Sequence, residues 1–296
     1  MTPLHGWLIV DKPLGITSAD GVARVKRVLR QLGYPKTKIG HGGTLDPLAT
    51  GVLPIALGEA TKLAGRMLDA TKGYAFTIAW GTSTATDDAE GAVTATSPLR
   101  PAAAAIRAVL PQFTGCIVQT PPAYSALKVG GERAYKLARA GETVVLAERQ
   151  LTIFALHLLD ARADAADFAV TCSKGTYVRS LARDIALAVG TVGHVAALRR
   201  TRAGPFMLDA AISLDKLAAL LQAGDEQVIL PLTAGLDDIP ALPVTSEDAS
   251  ALRQGRLLPG HPASHGLYLA TDGLVPVALV DVSSAAIRVV RGFNMN

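Results

Sequence analysis

GHGGTLDPLATGVLPIALGEAT, residues Gly40 to Thr61, is the stretch on which the fold turns. Glycines and prolines (Gly40, Gly42, Gly43, Pro47, Gly51, Pro54, Gly58) run all through it, too many for a regular helix or strand. It is nevertheless apolar enough to be expected inside the protein. Its acids are Asp46 and Glu59. Asp46 precedes a proline, and Asp-Pro pairs open turns, so on composition alone Asp46 is a turn former. A carboxylate held in an apolar, backbone-rich turn is also a place where reactivity is tuned. The rest of the chain has to decide between these readings.

The 296-residue chain is 49% hydrophobic and 18% charged, which excludes a disordered or low-complexity protein. Cys116 and Cys172 stand far apart with no Cys-x-x-Cys spacing. Neither a zinc site nor a disulfide framework is expected, and a reducing cytoplasm is the expected location. The apolar run Trp7 to Val10 meets Asp11 and Lys12 at once, unlike a signal peptide. No run is long enough to span a bilayer, so a soluble protein with no membrane partner is expected.

The net charge of +4 points only weakly to nucleic acid. Its distribution says more. Arg24, Lys26, Arg27, Arg30, Lys36 and Lys38 fall between Gly21 and Leu45 with no acid among them. Lys174, Arg179, Arg183, Arg199, Arg200 and Arg202 fall between Cys172 and Pro205 against Asp184 alone, and Lys128, Arg133, Lys136 and Arg139 form a third group against Glu132. Basic segments converging on one face would make a polyanion-binding surface. Solvated helix faces are the plainer reading.

Trp7 to Val10 reads as a buried strand ending in turn chemistry at Asp11 to Gly15. Thr17 and Ser18 offer N-caps to a helix with Val22, Val25, Leu29 and Leu32 on one face, stopping at Gly33. Tyr74 to Trp80 alternates as a half-buried strand, and Gly81 to Gly91 is expected to be an exposed loop. A helix over Pro101 to Leu110 precedes a proline-interrupted extended segment, Gly115 to Lys128, unsuited to a central strand. Leu151 to Leu159 and Ala166 to Cys172 read as paired strands. Thr176 then opens a helix with Val178, Leu181, Ile185 and Val189 on one face, and Leu214 to Leu221 is a further helix. After Pro240 to Pro243 a small, mostly β appendage follows: a helix over Ser246 to Gln254, then strands Gly266 to Ala270, Val275 to Asp281 and Ala286 to Val290. At about fifty residues it is near the lower limit for independent folding and is expected to dock on the main body.

Phosphate-loop, nucleophile-elbow and His-Glu-x-x-His signatures are absent. No histidine has metal-ligand spacing; His157 reads as a packed strand residue, and His41, beside two glycines, is better placed to touch a ligand. Asp46, Tyr74 and Arg179 remain. Each has a plain reading: turn former, half-buried aromatic, solvated helix charge. Together with basic segments they would also suit work on a base extracted from a nucleic acid. That chemistry needs an aromatic to stack the base and an arginine to keep a carboxylate ionised in a dry pocket.

Six stretches then occur in order: DKPLGITS (11–18), GHGGTLDPLATG (40–51), KGY (72–74), QTPPAYSALK (119–128), GTYVRSLARD (175–184) and LRRTRAGPF (198–206). In them the chain resembles the TruB family of bacterial tRNA pseudouridine-55 synthases. The resemblance implies an α+β pseudouridine synthase fold, a mixed, largely antiparallel sheet flanked by helices, over 1–240. It implies a small, mostly β PUA-like RNA-binding domain over 241–296. It implies isomerisation of uridine-55 in the tRNA T-loop, with contacts to the T-loop and T-stem and no metal or organic cofactor. Asp46 falls on the family's catalytic aspartate, acting by nucleophilic attack or through a glycal. Tyr74 falls on the tyrosine that stacks on the flipped base and takes the C5 proton, and Arg179 on the arginine that pairs with the aspartate. His41, Tyr177 and Leu198 fall on substrate-binding positions. The family often has Thr where this chain has Gly42, which removes a hydroxyl and is expected to loosen the loop. A monomer is expected. The competing readings are a non-catalytic tRNA-binding or tRNA-folding module of the same fold and a synthase for another RNA site.

Overall fold

The computed structural model describes residues 3–259 and 265–295. Strand β1 (Gly6–Lys12) leads to helix α1 (Ser18–Gln31), β2 (Ile39–His41), β3 (Ala49–Leu57), α2 (Ala64–Asp69) and β4 (Lys72–Trp80). Helix α3 (Ala103–Val109), β5 (Gly115–Gln119), β6 (Arg149–Ala161), β7 (Ala165–Cys172), α4 (Val178–Ala188), β8 (Gly193–Ala203), β9 (Ile212–Ser213) and α5 (Leu214–Gln222) follow. Ten strands form one sheet in the order β9-β1-β3-β8-β4-β7-β6-β5, with β2 beside β3 and Phe206–Met207 beside β8. Pairing is antiparallel except between β9 and β1 and between β3 and β8. This is the mixed, largely antiparallel sheet expected.

Strands β1 and β3 are buried on both faces and are almost continuously apolar, whereas β4 and β7 alternate buried with half-buried residues. Along β1, Leu8 and Val10 join the core formed with α1, α4 and α5, whereas Trp7 and Ile9 join a second cluster with Leu63, Met67 and Phe206. Thr17 caps α1 with a capping box: its hydroxyl accepts the Asp20 N–H at 3.1 Å and Asp20 accepts the Thr17 N–H at 2.9 Å. The proline-interrupted segment does supply a strand, but only the edge strand β5, which ends at Gln119 before Pro121 and Pro122.

The Gly40 to Thr61 stretch departs from its expected irregularity. Nine of its residues form β3, a fully paired central strand despite Gly51 and Pro54. Two local fits permit this. Gly51 has φ +98° and packs on the backbone of Arg200, whose carbonyl oxygen would collide with any Cβ. Pro54 lies opposite Ile9 of β1 and its carbonyl, on the other edge, accepts the Gly42 N–H at 2.8 Å. That edge is the gap between β8, which pairs up to Gly51, and β2, which pairs from Ile55, so the N–H that proline lacks has no ladder partner to lose.

Strands β10 (Ala241–Pro243), β11 (Leu258–Pro259), β12 (Gly266–Asp272), β13 (Val275–Val282) and β14 (Ala286–Gly292), with α6 (Ser246–Arg253), form a five-stranded C-terminal sheet in the order β10-β12-β13-β14-β11. It has its own core around Leu252, Val277, Val280 and Ile287. Leu269, Leu279 and Phe293 also join the cluster of Trp7 and Leu63, so the appendage docks on the main body as expected. Lys62 donating to the Gly292 carbonyl at 2.9 Å and Asn294 N–H to Glu59 at 2.8 Å fasten the edge. No helix among the described residues is long and apolar enough to cross a membrane.

Lys72, at the start of β4, is buried and turns back over the end of α2. Its ammonium donates to the carbonyls of Met67 (2.8 Å), Leu68 (3.1 Å) and Ala70 (2.5 Å), which a helix C-terminus leaves unpaired. Burial, reinforced by the Arg200 charge, lowers this ammonium from 10.5 to about 8. Between those values the unfolded chain holds a proton that the folded chain has released, so stability rises with pH there and is lost as pH falls through about 8. Relative to Lys72→Met, the native protein should therefore gain on the order of 3 kcal/mol between about pH 8 and about pH 10.5, at 1.36 kcal/mol per unit. Urea unfolding of both proteins across that range checks this; a constant difference would contradict it.

Candidate active site

The loop from Gly42 to Leu48 is held from three sides by polar side chains. Ser18, at the start of α1, accepts the Leu45 N–H at 2.7 Å and donates to the Leu45 carbonyl at 3.2 Å. Lys12, fully buried at the end of β1, donates to Ile16 (2.7 Å), Pro13 (3.0 Å) and Pro47 (3.4 Å). Arg200 reaches in from β8, donating to the carbonyls of Val52 (2.7 Å), Gly43 (3.1 Å) and Thr44 (3.2 Å). A buried irregular loop has to find donors for its carbonyls, and here two cations and a hydroxyl supply them. Burial lowers the Lys12 ammonium, and the nearby Asp46 carboxylate opposes that.

Gly42 is tight, not loose. A Cβ there would lie 2.7 Å from the Met67 Cβ, so the glycine is what lets α2 pack against the loop. The loosening expected from the missing threonine is absent.

Asp46 projects from this loop toward α4. Its Oδ2 lies 3.0 Å from Arg179 Nη2. The two are unequal in exposure: the arginine side chain is 6% exposed, the carboxylate 39%. The expected dry pocket around Asp46 is therefore an open one, with the buried partner behind the carboxylate. Tyr177 is the N-cap of α4, in place of the expected Thr176, and its N–H is taken by Gln119 of β5 at 2.9 Å. Arg179 is thus in the first turn of α4, where it also donates to the carbonyls of Thr86 (2.9 Å) and Tyr124 (3.0 Å). Its second carboxylate is Asp88, at 3.5 Å and 3% exposed.

Asp88 corrects another expectation. Gly81 to Gly91 is not a solvent loop: Thr82–Thr84 pairs with Val93–Thr96, and the turn between them folds onto α4. Asp88 accepts bonds from the Thr86 hydroxyl and, at 3.1 Å, the Glu90 N–H. Asp87 pairs with Arg183 at 3.0 Å.

Tyr74 and Arg200 are directly opposed residues of β4 and β8. Burial pushes the Tyr74 phenol above its ordinary value and the Arg200 guanidinium beside it pulls the other way, so the phenol is protonated at neutral pH. The Asp46 carboxylate is close enough to act on it electrostatically. Burial likewise raises the Tyr177 phenol, which lies beside Ser125 and also feels Asp46. His41 ends β2; burial and then Arg200 lower its imidazole, and its Nδ1 has no hydrogen-bond partner among the described residues. Leu198 is a core residue of β8, paired with Ala49 and Phe76. The structure therefore gathers Asp46, Arg179, Tyr74 and Tyr177, with His41 near Arg200 and Leu198 beneath in the core.

The three basic segments divide. Arg24, Lys26, Arg27, Arg30, Lys36 and Lys38 are all exposed, as a polyanion surface requires. Of the six cations from Lys174 to Arg202, Arg179 and Arg200 are buried, Arg183 and Arg199 are partly exposed and paired with Asp87 and Asp11, and Lys174 and Arg202 are exposed. Counting charges along the chain missed Lys12, Asp88 and Arg200 as parts of the site. Arg200 could have been found, because strand alternation puts it on the same face as Leu198. Among the described residues no three His, Cys, Asp or Glu side chains cluster as metal ligands would.

Comparison with known proteins gives the family. Residues 27–178 match the model of the TruB family pseudouridylate synthase N-terminal domain. Residues 179–237 match that of the tRNA pseudouridylate synthase B C-terminal domain. The tRNA pseudouridine synthase B of Novosphingobium aromaticivorans is 60% identical over 298 residues, covering 99% of this chain and 98% of that protein. That of Zymomonas mobilis is 55% identical, covering 98% of this chain and 96% of that protein. Among solved structures, the chain resembles one from an H/ACA RNP bound to a substrate RNA containing 2′-deoxyuridine, with 25% identity, a TM-score of 0.74, and coverage of 98% of this chain and 85% of that one.

Removing the Arg200 guanidinium strands three buried carbonyls, each worth about 1 kcal/mol or more. Arg200→Met should lose about 3 kcal/mol in urea unfolding, and Arg200→Lys, which keeps the charge but not the fork, should lose less. Equal stability of all three proteins would mean that the loop does not depend on this residue.

Proposed function

The chain belongs to the TruB family of pseudouridylate synthases, and from that premise we propose that it isomerises uridine-55 in the T-loop of tRNA through the carboxylate of Asp46. The reaction breaks the N1–C1′ bond, forms C5–C1′, releases the C5 proton and leaves one on N1. Every route to it starts from an ionised carboxylate facing the substrate. The observation that carries the assignment is the Asp46–Arg179 pair at 3.0 Å, with the arginine buried and the carboxylate open.

The roles follow from position. Arg179, itself fixed by bonds to two backbone carbonyls, sets the direction of the Asp46 carboxylate. Tyr74 offers a ring for stacking the flipped uracil, which offsets part of the few kcal/mol that flipping costs. As a protonated phenol it can accept the C5 proton only by giving up its own, and Arg200 beside it favours that exchange. Tyr177 and Leu198 wall the uracil site, and the half-buried His41 at the end of β2 meets the T-loop. The exposed cations of α1 and of the segment after it serve the T-stem phosphates. We place the catalytic unit at 1–240 and an RNA-binding unit at 241–296, acting as a monomer in the cytoplasm. The 60% identity to a tRNA enzyme, against 25% to a chain of an H/ACA RNP, favours a tRNA substrate.

Asp46→Asn should abolish release of tritium from tRNA labelled at uridine C5 while tRNA affinity stays within about a few-fold, because phosphate contacts supply most of the binding. Turnover near the native rate would overturn the role of Asp46; tight binding without turnover by the native protein would favour a binding module. A single carbodiimide-dependent reverse-transcription stop in the T-loop fixes the target. Affinity should also fall on the order of a hundredfold between about 50 and about 200 mM salt, as for roughly four phosphate contacts; a flat salt response would rule out a broad basic docking face.

A further inference from the structure

Helix α4 carries a second arginine one turn after Arg179, and the two make parallel sets of contacts. Arg179 joins the Thr86 carbonyl (2.9 Å) to the Tyr124 carbonyl (3.0 Å) and to Asp46. Arg183 joins the Asp87 carboxylate (3.0 Å) to the Thr120 carbonyl (3.1 Å). Each guanidinium thus bridges the turn after Thr84 and the segment after Gln119, and only the first of them also touches the carboxylate that does the chemistry.

Asp87 is unusual in its own right. Among the described residues it is the only one other than glycine with positive φ, at 60°. Left-handed backbone is unfavourable for an L residue and persists where the surroundings over-determine it. What it achieves here is to send two consecutive carboxylates to two different arginines: Asp87 to Arg183, and Asp88 to Arg179 at 3.5 Å. The Asp87 side chain is 14% exposed, and burial raises its carboxyl, against the pull of Arg183 and Arg179. Charges that are this shielded add little net stability. The turn is already fastened to β8 by backbone bonds, Val195 N–H to the Asp87 carbonyl and Ala89 N–H to the Val195 carbonyl, both 3.0 Å. The ion pair is therefore superfluous for attaching the turn. What it adds is the lateral position of the turn over α4, and with it the place of the Thr86 carbonyl and Asp88 around Arg179.

We infer that Asp87 and Arg183 are positioning residues for the reaction: their ion pair sets the turn that aligns Arg179, and through Arg179 the attacking carboxylate. The inference rests on the reading of Asp46 and Arg179 given above.

The test measures kcat, tRNA Kd and melting temperature for Asp87→Asn, Asp87→Gly, Arg183→Met, Arg183→Lys and the double variant Asp87→Asn/Arg183→Met, with Asp46→Asn in parallel. Asp87→Asn and Arg183→Met should each lower kcat about tenfold, since small misalignments of reacting groups cost up to about a hundredfold, with Kd within about twofold. The double variant should be no slower than the slower single one. Arg183→Lys should recover part of the rate. Asp87→Gly separates strain from pairing: glycine accepts the left-handed backbone, so this variant should melt no lower than Asp87→Asn, which also lacks the charge, and still lose kcat. Native rates in Asp87→Asn and Arg183→Met, or a full rate in Asp87→Gly, overturn the proposal while an inactive Asp46→Asn leaves the reading of the site standing. An active Asp46→Asn removes that reading, and the proposal falls with it.

Discussion

The loop that carries Asp46 depends on buried cations bonded to backbone carbonyls. A loop that is neither helix nor strand and lies inside the protein has carbonyls that no ladder satisfies. Lys12 and Arg200 satisfy those of Gly43, Thr44, Pro47 and Val52, and Lys72 does the same for the neighbouring end of α2. Three positive charges withdrawn from water are costly unless anions or dipoles surround them. The carbonyl dipoles supply most of that compensation, and Asp46 supplies a counter-charge for Lys12. The carboxylate is thus part of the balance that holds its own loop.

This arrangement explains why the loop is built from glycines and prolines. Gly42 lets Met67 approach, Gly51 lets the Arg200 backbone approach, and Pro54 sits where the ladder has a gap. Each removes a side chain or an N–H for which the local packing has no room or no partner. The turn geometry of the Asp-Pro pair and the chemistry of Asp46 are therefore one constraint.

Elements whose pattern reports local burial were legible in the sequence. The valines and leucines of α1, the alternation of Phe76, Ile78 and Trp80, and the small β appendage all stand where periodicity put them. Strand β3 was not legible, because propensity counts Gly51 and Pro54 as breakers and cannot see that their neighbours are a backbone and a gap. The turn at Asp87 and Asp88 was hidden for the opposite reason: it is polar, and its burial depends on two arginines about ninety residues later in the chain. Charge counting failed for the segment around Arg200 because it records sign and not direction. The pairing of Asp46 with Arg179 followed from the ordered motifs and is present at 3.0 Å; spacing alone could not have linked residues so far apart.

The site is set before any RNA arrives. Arg179 is buried and engaged through both terminal nitrogens behind an Asp46 that remains open, and Tyr74 is fixed between two neighbouring strands opposite Arg200. Groups held this way need little reorganisation when charge develops, which is where a preorganised site gains over water. In the proposed reaction the conformational cost then lies with the nucleic acid, whose target base would leave its stack for the tyrosine ring. A broad basic docking face can supply that cost from phosphate contacts made away from the reacting atoms. In the proposed reaction the buried Arg179 serves the carboxylate, and the exposed cations of α1 and of the segment after it serve the RNA backbone.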